Sequence, residues 1–128
     1  MRNVPILSAT DLGRQAEALA CRYLERQGLT IERRNVRYPV GEIDIVAREG
    51  DALCFIEVRS KSSTQWGGAL ESVTQRKRRR LIRAARWYLN GFRAMPEQIR
   101  FDVIAIDWPS DRAPQVELIR GAFDAKAG

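Results

Sequence analysis

The sequence predicts a single α/β domain, residues 1–128, in which a mixed central sheet is flanked by helices. Segments with helical periodicity and segments in which apolar and polar residues alternate follow one another in the order helix, three strands, helix, two strands. At 128 residues the chain has the length of one domain, and no long linker or internal repeat divides it.

The first helix is predicted to begin at Thr10 or Asp11, either of which can cap it, and to end near Gln27, where Gly28 stops it. Glu17 lies at the edge of its apolar stripe, where an acidic side chain is more often solvated than functional. The residues of that stripe recur at helical spacing: Leu12, Ala16, Leu19, Ala20, Tyr23 and Leu24.

A strand over residues 29–38 and then a β-hairpin with its turn at residues 49–51 are predicted next. Side chains alternate between the two faces of a strand, so Glu57, Arg59 and Lys61 are expected on one face. Asp44, from the partner strand, is expected on that same face. The first hairpin strand has two alternating sets, which are Ile43, Ile45 and Ala47 against Glu42, Asp44 and Val46.

This hairpin would place two carboxylates among apolar neighbours. Asp and Glu are seldom buried without a partner, so Asp44 and Glu57 need a compensating cation, which could be Arg59, Lys61 or a metal ion. The chain has no His and its two Cys are far apart, so Mg²⁺ or Mn²⁺ suits it better than Zn²⁺. Such ions are the usual partners of phosphate chemistry. The alternative is that each acid forms a structural salt bridge with an arginine.

A strongly basic helix is predicted from about Ser72 to Leu89, after a loop rich in Ser, Thr and Gly. By helical angle, Lys77 faces the sheet together with the apolar side chains of this helix. The apolar set comprises Leu70, Val73, Leu81, Ala84, Ala85, Tyr88 and Phe92. The arginines expected to point elsewhere are Arg76, Arg79, Arg80, Arg83 and Arg86.

The net charge of +6 is concentrated in one segment, because Glu71 is the only acid between Val58 and Pro96, against ten Lys or Arg residues. Cations without acids at i, i+4 repel one another, so an external anion explains them better than a solvated helix face does. Nucleic acid is the expected partner, and an anionic membrane surface is the alternative. The predicted nucleic-acid contacts are Arg76, Lys77, Arg79, Arg80 and Arg83.

Two strands complete the predicted domain. Residues 100–108 are apolar on both faces in the middle, which predicts an interior strand, and residues 115–120 form the last strand. Residues 1–9 and 122–128 are expected to be frayed. No apolar run approaches the ~20 residues that span a bilayer, and no secretory signal is recognisable, so a cytoplasmic protein without membrane association is expected.

The order of elements, with an acid in the first hairpin strand and Glu-x-basic in the second, resembles the restriction-endonuclease-like, PD-(D/E)xK, nuclease superfamily. The local sequence is similar to the uncharacterised bacterial YraN-like family from about Gly13 to Asp107. That similarity lies in Gly13-x-x-x-Glu17, Ala20, Tyr23-Leu24, Gly28, Asn35, GEIDIVA, FIEVRSKSS and the basic helix with Lys77, Arg80 and Leu81.

The resemblance implies an αβββαβ sandwich and the hydrolysis of DNA phosphodiester bonds. It implies that Asp44 is the metal-binding acid, that Glu57 is the acid of the E-x-K pair, and that Glu17 is a third ligand, as in Holliday-junction-resolvase-like nucleases. The implied cofactor is Mg²⁺ or Mn²⁺, bound by Glu17, Asp44 and Glu57. Branched or processed DNA is the implied substrate, and a homodimer is the implied assembly.

Two positions depart from the superfamily pattern. Arg59 stands where lysine is usual, and because a guanidinium group stays protonated in proteins it could stabilise phosphoryl charge but not act as a general base. Lys61 or Lys77 could replace the missing lysine. The Gln-x-x-x-Tyr helix signature is absent, since Arg79 follows Gln75 by four residues. One hypothesis is therefore a Mg²⁺-dependent endonuclease that uses Glu17, Asp44, Glu57, Arg59 and Lys61. The other is a catalytically degenerate protein that only binds nucleic acid.

Overall fold

The structure is a computed structural model that describes residues 9–61, 69–109 and 111–125. Its helices are α1 (Ala9–Arg26), α2 (Ala69–Ser72) and α3 (Gln75–Leu89). Its strands are β1 (Thr30–Tyr38), β2 (Gly41–Glu49), β3 (Ala52–Lys61), β4 (Gln98–Asp107) and β5 (Gln115–Phe123). The predicted order of long helices and strands is confirmed, and the short α2 is added to it. None of the described helices is long and apolar enough to cross a membrane.

The five strands form one mixed sheet in the order β1-β2-β3-β4-β5. Neighbours are antiparallel except for β3 and β4, which are parallel. A parallel pair requires a crossover connection, and α3 lies in the segment that connects these two strands. The predicted mixed sheet is thus confirmed, as is the interior position of β4.

Each face of the sheet carries its own apolar core. Leu24 of α1 packs with Ile56 on one face, whereas Leu81 of α3 packs with Phe55 and Val103 on the other. All five of these side chains are at most 2% exposed. Burial of one such side chain contributes about 1.5–3 kcal/mol, so the two cores hold α1 and α3 on opposite faces of the sheet.

Helix α1 ends close to the predicted position, but Thr10 and Asp11 lie within it, so the prediction that one of them caps its start is wrong. It starts at Ala9 and ends at Arg26, and Gly28 follows with a φ of +96°, a left-handed conformation that glycine adopts readily. The expectation that residues 1–9 are frayed is wrong for Ala9, which is helical. Residues 1–8 lie outside the described part of the chain.

Helix α3 begins three residues later than predicted. Thr74 has an extended backbone, and its side-chain oxygen accepts a hydrogen bond from the backbone N–H of Lys77 at 3.3 Å. This is an N-cap, which satisfies one of the free N–H groups at a helix start. Ser72 therefore belongs to the separate short helix α2, and the prediction of one continuous helix from Ser72 is wrong.

The last strand is longer than predicted. Phe123 belongs to β5 and stacks on Phe101 with 5.4 Å between ring centroids, and the Arg78 guanidinium lies 5.4 Å from the Phe123 ring centroid. Burial of this aromatic side chain and the guanidinium over its ring stabilise the end of the strand. The expectation that residues 122–128 are frayed is therefore wrong for residues 122 and 123, and residues 126–128 are outside the described ranges.

Candidate functional site

Strands β2 and β3 separate at the end of the hairpin away from its turn. Their pairing runs from Glu49 opposite Ala52 to Ile45 opposite Ile56, and it stops there. Asp44 is the next residue of β2 and Glu57 is the next residue of β3. The two predicted acids therefore lie where the strands diverge, while β3 continues alongside β4 to Lys61.

The alternation of β2 is broken at Asp44. Ile43 packs in the core beside α3, whereas Ile45 packs in the core beside α1, so the prediction that these two residues share a face is wrong. Asn35 of the neighbouring strand β1 lies opposite this break with a φ of +52°. Asn is among the few residues other than Gly that adopt this conformation. The irregular backbone places the Asp44 side chain at the gap between β2 and β3.

The Asp44 carboxylate accepts a hydrogen bond from the backbone N–H of Val58 at 2.8 Å. Burial raises the pKa of Asp44 to about 6 despite this bond, and the charges of Glu17 and Glu42 also raise it. The bond fixes the carboxylate against β3. The raised pKa means that the negative charge of Asp44 is poorly compensated by the protein.

The pKa of the Glu57 carboxyl group is also raised, to about 7. Burial is the main cause and the nearby Asp44 carboxylate is the second, while Arg59 and Lys77 act in the opposite direction. No hydrogen bond to the Glu57 carboxylate is made by the side chains that the structure describes. Because the Asp44 charge adds to the effect of burial on Glu57, the two acids form a site with an unmet demand for positive charge.

Two acids of the β2, β4 and β5 region, Glu49 and Asp102, are paired with arginines. Arg100 contacts Glu49 at 2.8 Å and Asp102 at 2.9 Å, and Arg120 contacts Glu49 at 2.9 Å. Hydrogen bonds from these guanidinium groups lower the pKa of Glu49 to about 2. Within the described residues, no arginine makes such a contact with either site acid, so the salt-bridge alternative does not describe Asp44 and Glu57.

Glu17 is buried rather than solvated. Its side chain is 12% exposed, and its Oε1 atom lies 3.4 Å from Nε of Arg34. It shares with Asp44 a cavity of about 580 Å³, which we call the α1-side cavity. The lining residues are Gly13, Arg14, Ala16, Glu17, Asn35, Arg37, Asp44, Val58 and Ser60.

Glu57 lines a separate cavity of about 200 Å³ on the other face of the sheet, which we call the α3-side cavity. Its lining residues are Glu42, Glu57, Arg59, Lys77, Arg80 and Leu81. The predicted inward position of Lys77 is confirmed. Arg80 was expected to point elsewhere but also borders this cavity. At this point a side chain on Gly41 would collide with the Arg80 carbonyl oxygen, so the start of β2 lies directly against α3.

Two of the predicted site residues, Arg59 and Lys61, are basic residues near the end of β3. Arg59 donates a hydrogen bond from Nε to the Ser72 hydroxyl at 3.2 Å, which anchors its guanidinium beside Glu57. Lys61 is the last residue of β3, and its backbone pairs with Asp107 of β4. The side chain of Lys61 lies outside the described part of the structure, so its predicted role stays a prediction.

The three predicted metal ligands lie near one another but line two cavities, so the prediction that Asp44 and Glu57 project from the same face of the sheet is wrong. Glu17 and Asp44 line the α1-side cavity, Glu57 lines the α3-side cavity, and β3 runs between them. Over the described ranges, no group of three or more His, Cys, Asp or Glu side chains is arranged to hold a metal ion. The donor chemistry nevertheless fits a divalent cation, because such an ion would offset the burial and the neighbouring negative charges that raise the pKa of both Asp44 and Glu57.

Five exposed arginines follow the outer surface of α3, and we call them the α3 arginine stripe. They are Arg76, Arg79, Arg80, Arg83 and Arg86. None forms an ion pair with another described residue, although the exposed arginines Arg37 and Arg48 each reach an acid. The stripe meets the α3-side cavity at Arg80, so an anion bound along the helix would extend to Glu57.

Sequence reasoning missed the basic residues of the α1-side cavity. Arg14 and Arg37 line it beside Glu17 and Asp44. A signal was present, since β1 contains three arginines in the segment ERRNVRY and Arg14 follows the glycine of the Gly13-x-x-x-Glu17 motif. These arginines come from two separate elements, α1 and β1, so they do not form one charged run in the sequence.

Comparisons with known proteins identify relatives over nearly the whole chain. The model of the family described as "Uncharacterised protein family UPF0102" matches residues 16–106. A UPF0102 protein of Pseudomonas aeruginosa is 45% identical over 120 residues, which cover 92% of this chain and 96% of the relative. A UPF0102 protein of Shewanella loihica is 50% identical over 111 residues, covering 87% and 92%, and one of Syntrophotalea carbinolica is 48% identical over 114 residues, covering 89% and 92%.

Proposed function

The chain belongs to the UPF0102 family, as its YraN-like motifs indicated, and we propose that it is a metal-dependent nuclease. It would hydrolyse phosphodiester bonds of nucleic acid, DNA in the first instance. Two poorly compensated acids beside a basic helix support this proposal. The observation that supports this most is the position of Asp44 and Glu57 where β2 and β3 separate, with no arginine of the described residues in an ion pair with either acid, and burial raises the pKa of both. The restriction-endonuclease-like classification of the fold is part of the proposal. A cytoplasmic homodimer that acts on branched or processed DNA is the expected setting.

The α3 arginine stripe would bind the phosphate backbone. Its guanidinium groups are exposed and are not neutralised by described acids, so binding to nucleic acid would release counterions from the phosphates. Phosphate contacts position a nucleic acid without reading its sequence. We therefore expect affinity that depends steeply on salt and little on sequence. Arg80 and Lys77, which border Glu57, would hold the phosphate nearest the acids.

Glu17, Asp44 and Glu57 are the residues that would hold a divalent metal ion. When bound, such an ion supplies Lewis-acid polarisation of the phosphate and a bound water of lowered pKa. The hydrogen bond from Val58 keeps the Asp44 carboxylate oriented. Glu17 would contribute after release from Arg34, whose contact at 3.4 Å is long for an ion pair.

Arg59 and Lys77 would act on the phosphate itself. The Arg59 guanidinium, anchored by Ser72, can donate hydrogen bonds to the phosphoryl oxygens as their negative charge increases. It cannot accept a proton at neutral pH. Lys77 faces the same cavity as Glu57 and is an ammonium group from which the leaving oxygen could take a proton. Lys61 remains the second candidate for this role.

The test is cleavage of labelled DNA in Mg²⁺ or Mn²⁺ by the wild type, Asp44→Asn, Glu57→Gln and the control Glu71→Gln. Asn and Gln keep the shape of each acid and remove its charge, whereas Glu71 is exposed on α2. We expect the cleavage rate of both site variants to fall by roughly 10²-fold or more, while both variants still bind DNA. Wild-type activity at the level of either site variant would contradict the proposal.

The second candidate function is binding of nucleic acid without cleavage. Two observations favour it, namely arginine at position 59 and the lack of a three-residue ligand group in the described structure. On this account the arginine stripe supplies the affinity and the carboxylates support the fold. Salt-dependent binding, together with the failure of the wild type to cut either DNA or RNA, would establish it.

A further inference from the structure

We propose that the α1-side cavity binds one unpaired nucleotide, so that the preferred substrate is a duplex continued by a single-stranded segment. This rests on the proposed function and adds the class of substrate to it. The cavity of about 580 Å³ is within the range of roughly 300–1,000 Å³ that holds small ligands. It cannot enclose a duplex, whose major groove alone is ~12 Å wide.

The lining of the cavity fits the parts of a nucleotide. Ala16 and Val58 supply apolar surface for a sugar or a base, and the Asn35 amide and Ser60 hydroxyl supply donors and acceptors. A base that is not paired exposes the edges that such groups recognise. Asp44 and Glu17 also line this cavity, so a nucleotide bound there would lie beside two of the candidate metal ligands.

Two guanidinium groups of the cavity are available to phosphate. Arg14 is exposed and forms no ion pair with another described residue. Arg37 reaches Glu42 at 3.6 Å, but these side chains are 78% and 58% exposed, and an ion pair so open to solvent contributes little. Arginine binds phosphate oxygens through two parallel hydrogen bonds and also stacks on bases. Both arginines therefore suit a nucleotide of a strand.

The positions of the two basic surfaces explain why the strand must be unpaired. The α3 arginine stripe lies on the helix that covers one face of the sheet, whereas the α1-side cavity lies beside the helix that covers the other face. A rigid duplex held along α3 cannot also enter a nucleotide-sized cavity across the sheet. A single strand that leaves the duplex can pass around the end of the hairpin, where β2 and β3 separate and the acids lie.

The test is fluorescence anisotropy with a labelled blunt duplex and with the same duplex carrying a single-stranded extension, in buffer with chelator so that nothing is cut. We expect the wild type to bind the extended duplex about tenfold more tightly. The double variant Arg14→Ala, Arg37→Ala should lose this advantage and bind the blunt duplex as the wild type does. The control Arg22→Ala, Arg26→Ala removes the same charge from exposed positions of α1 outside the cavity and should keep the advantage.

Two results would overturn the inference. One is equal affinity of the wild type for the two duplexes, and the other is an undiminished preference for the extension in the Arg14→Ala, Arg37→Ala variant whose melting temperature is unchanged. Both leave the proposed function standing if the wild type still cuts DNA and Glu57→Gln does not. Failure of the proposed function is thus recognised separately, by the cleavage assay.

Discussion

The Glu57 carboxylate is ionised at a cost to the folded state, because burial and Asp44 raise its pKa from 4.5 to about 7. A carboxyl group whose folded pKa is raised binds more protons folded than unfolded, so stability is lost as the pH rises from about 4.5 through about 7. We predict that Glu57→Gln, measured by thermal unfolding at about pH 8 without divalent metal, increases the free energy of unfolding by on the order of 2 kcal/mol.

The gain should disappear at about pH 4, where the native glutamate is protonated as well. Glu71→Gln, at an exposed position, should change the melting temperature little at either pH. A lower melting temperature for Glu57→Gln at the higher pH would mean that the carboxylate has a cationic partner, contrary to the geometry described above.

Single residues of the site were predictable to different degrees. The hairpin pattern placed Asp44 and Glu57 opposite one another on paired strands, but the expectation that they share a face failed because the pairing ends at Ile45 and Ile56. Strand alternation also failed for Ile43 and Ile45, because the left-handed Asn35 opposite Asp44 interrupts the regular strand. A helical period locates a residue on a face but does not reveal a cross-strand partner, so burial of Glu17 against Arg34 was not predictable.

At the scale of elements, the contact between β2 and α3 determines the α3-side cavity. A methyl group on Gly41 would collide with the Arg80 backbone, which cannot move without displacing the helix. We predict that Gly41→Ala lowers the free energy of unfolding by about 1–3 kcal/mol, measured by urea denaturation. Gly91→Ala is the control, since no atom lies within 4 Å of its added methyl group. Equal stability of the two variants would contradict this close approach.

Helix α3 also determines affinity, through the charges on its outer surface. We predict that Arg79→Ala with Arg83→Ala weakens binding to all nucleic-acid sequences alike and lowers the slope of log affinity against log salt by about 2. The measurement is anisotropy over a range of salt concentrations, with Arg22→Ala and Arg26→Ala as the charge-matched control. An unchanged slope would exclude α3 from the interface.

The limits of sequence reasoning at this scale lie at the helix ends. The basic helix was recognised from its apolar stripe, but its start was misplaced because Leu70 and Val73 continue the same period before Thr74. The cap at Thr74 depends on backbone angles that the period does not report. The buried Ile82 was likewise absent from the predicted inner face.

For the whole molecule, the order of elements and the interior position of β4 followed from the sequence because both depend on local periodicity and on two apolar faces. The division of the site into two cavities did not follow. It arises from the separation of β2 and β3 beyond Ile45 and Ile56, which is a property of the assembled sheet. Basic surfaces on both sides of the sheet are likewise visible once α1 and α3 are in place.

The most direct test of the account is the change in melting temperature on adding Mn²⁺ to the wild type and to Asp44→Asn. The amide can still accept the Val58 hydrogen bond, so the substitution removes charge and leaves the fold. Binding to the native state should raise the wild-type melting temperature, more at about pH 8 than at about pH 5 because protons compete for the carboxylates, and Asp44→Asn should show no rise. A wild type unmoved by Mn²⁺ at both pH values, or an equal rise in Asp44→Asn, would contradict the account.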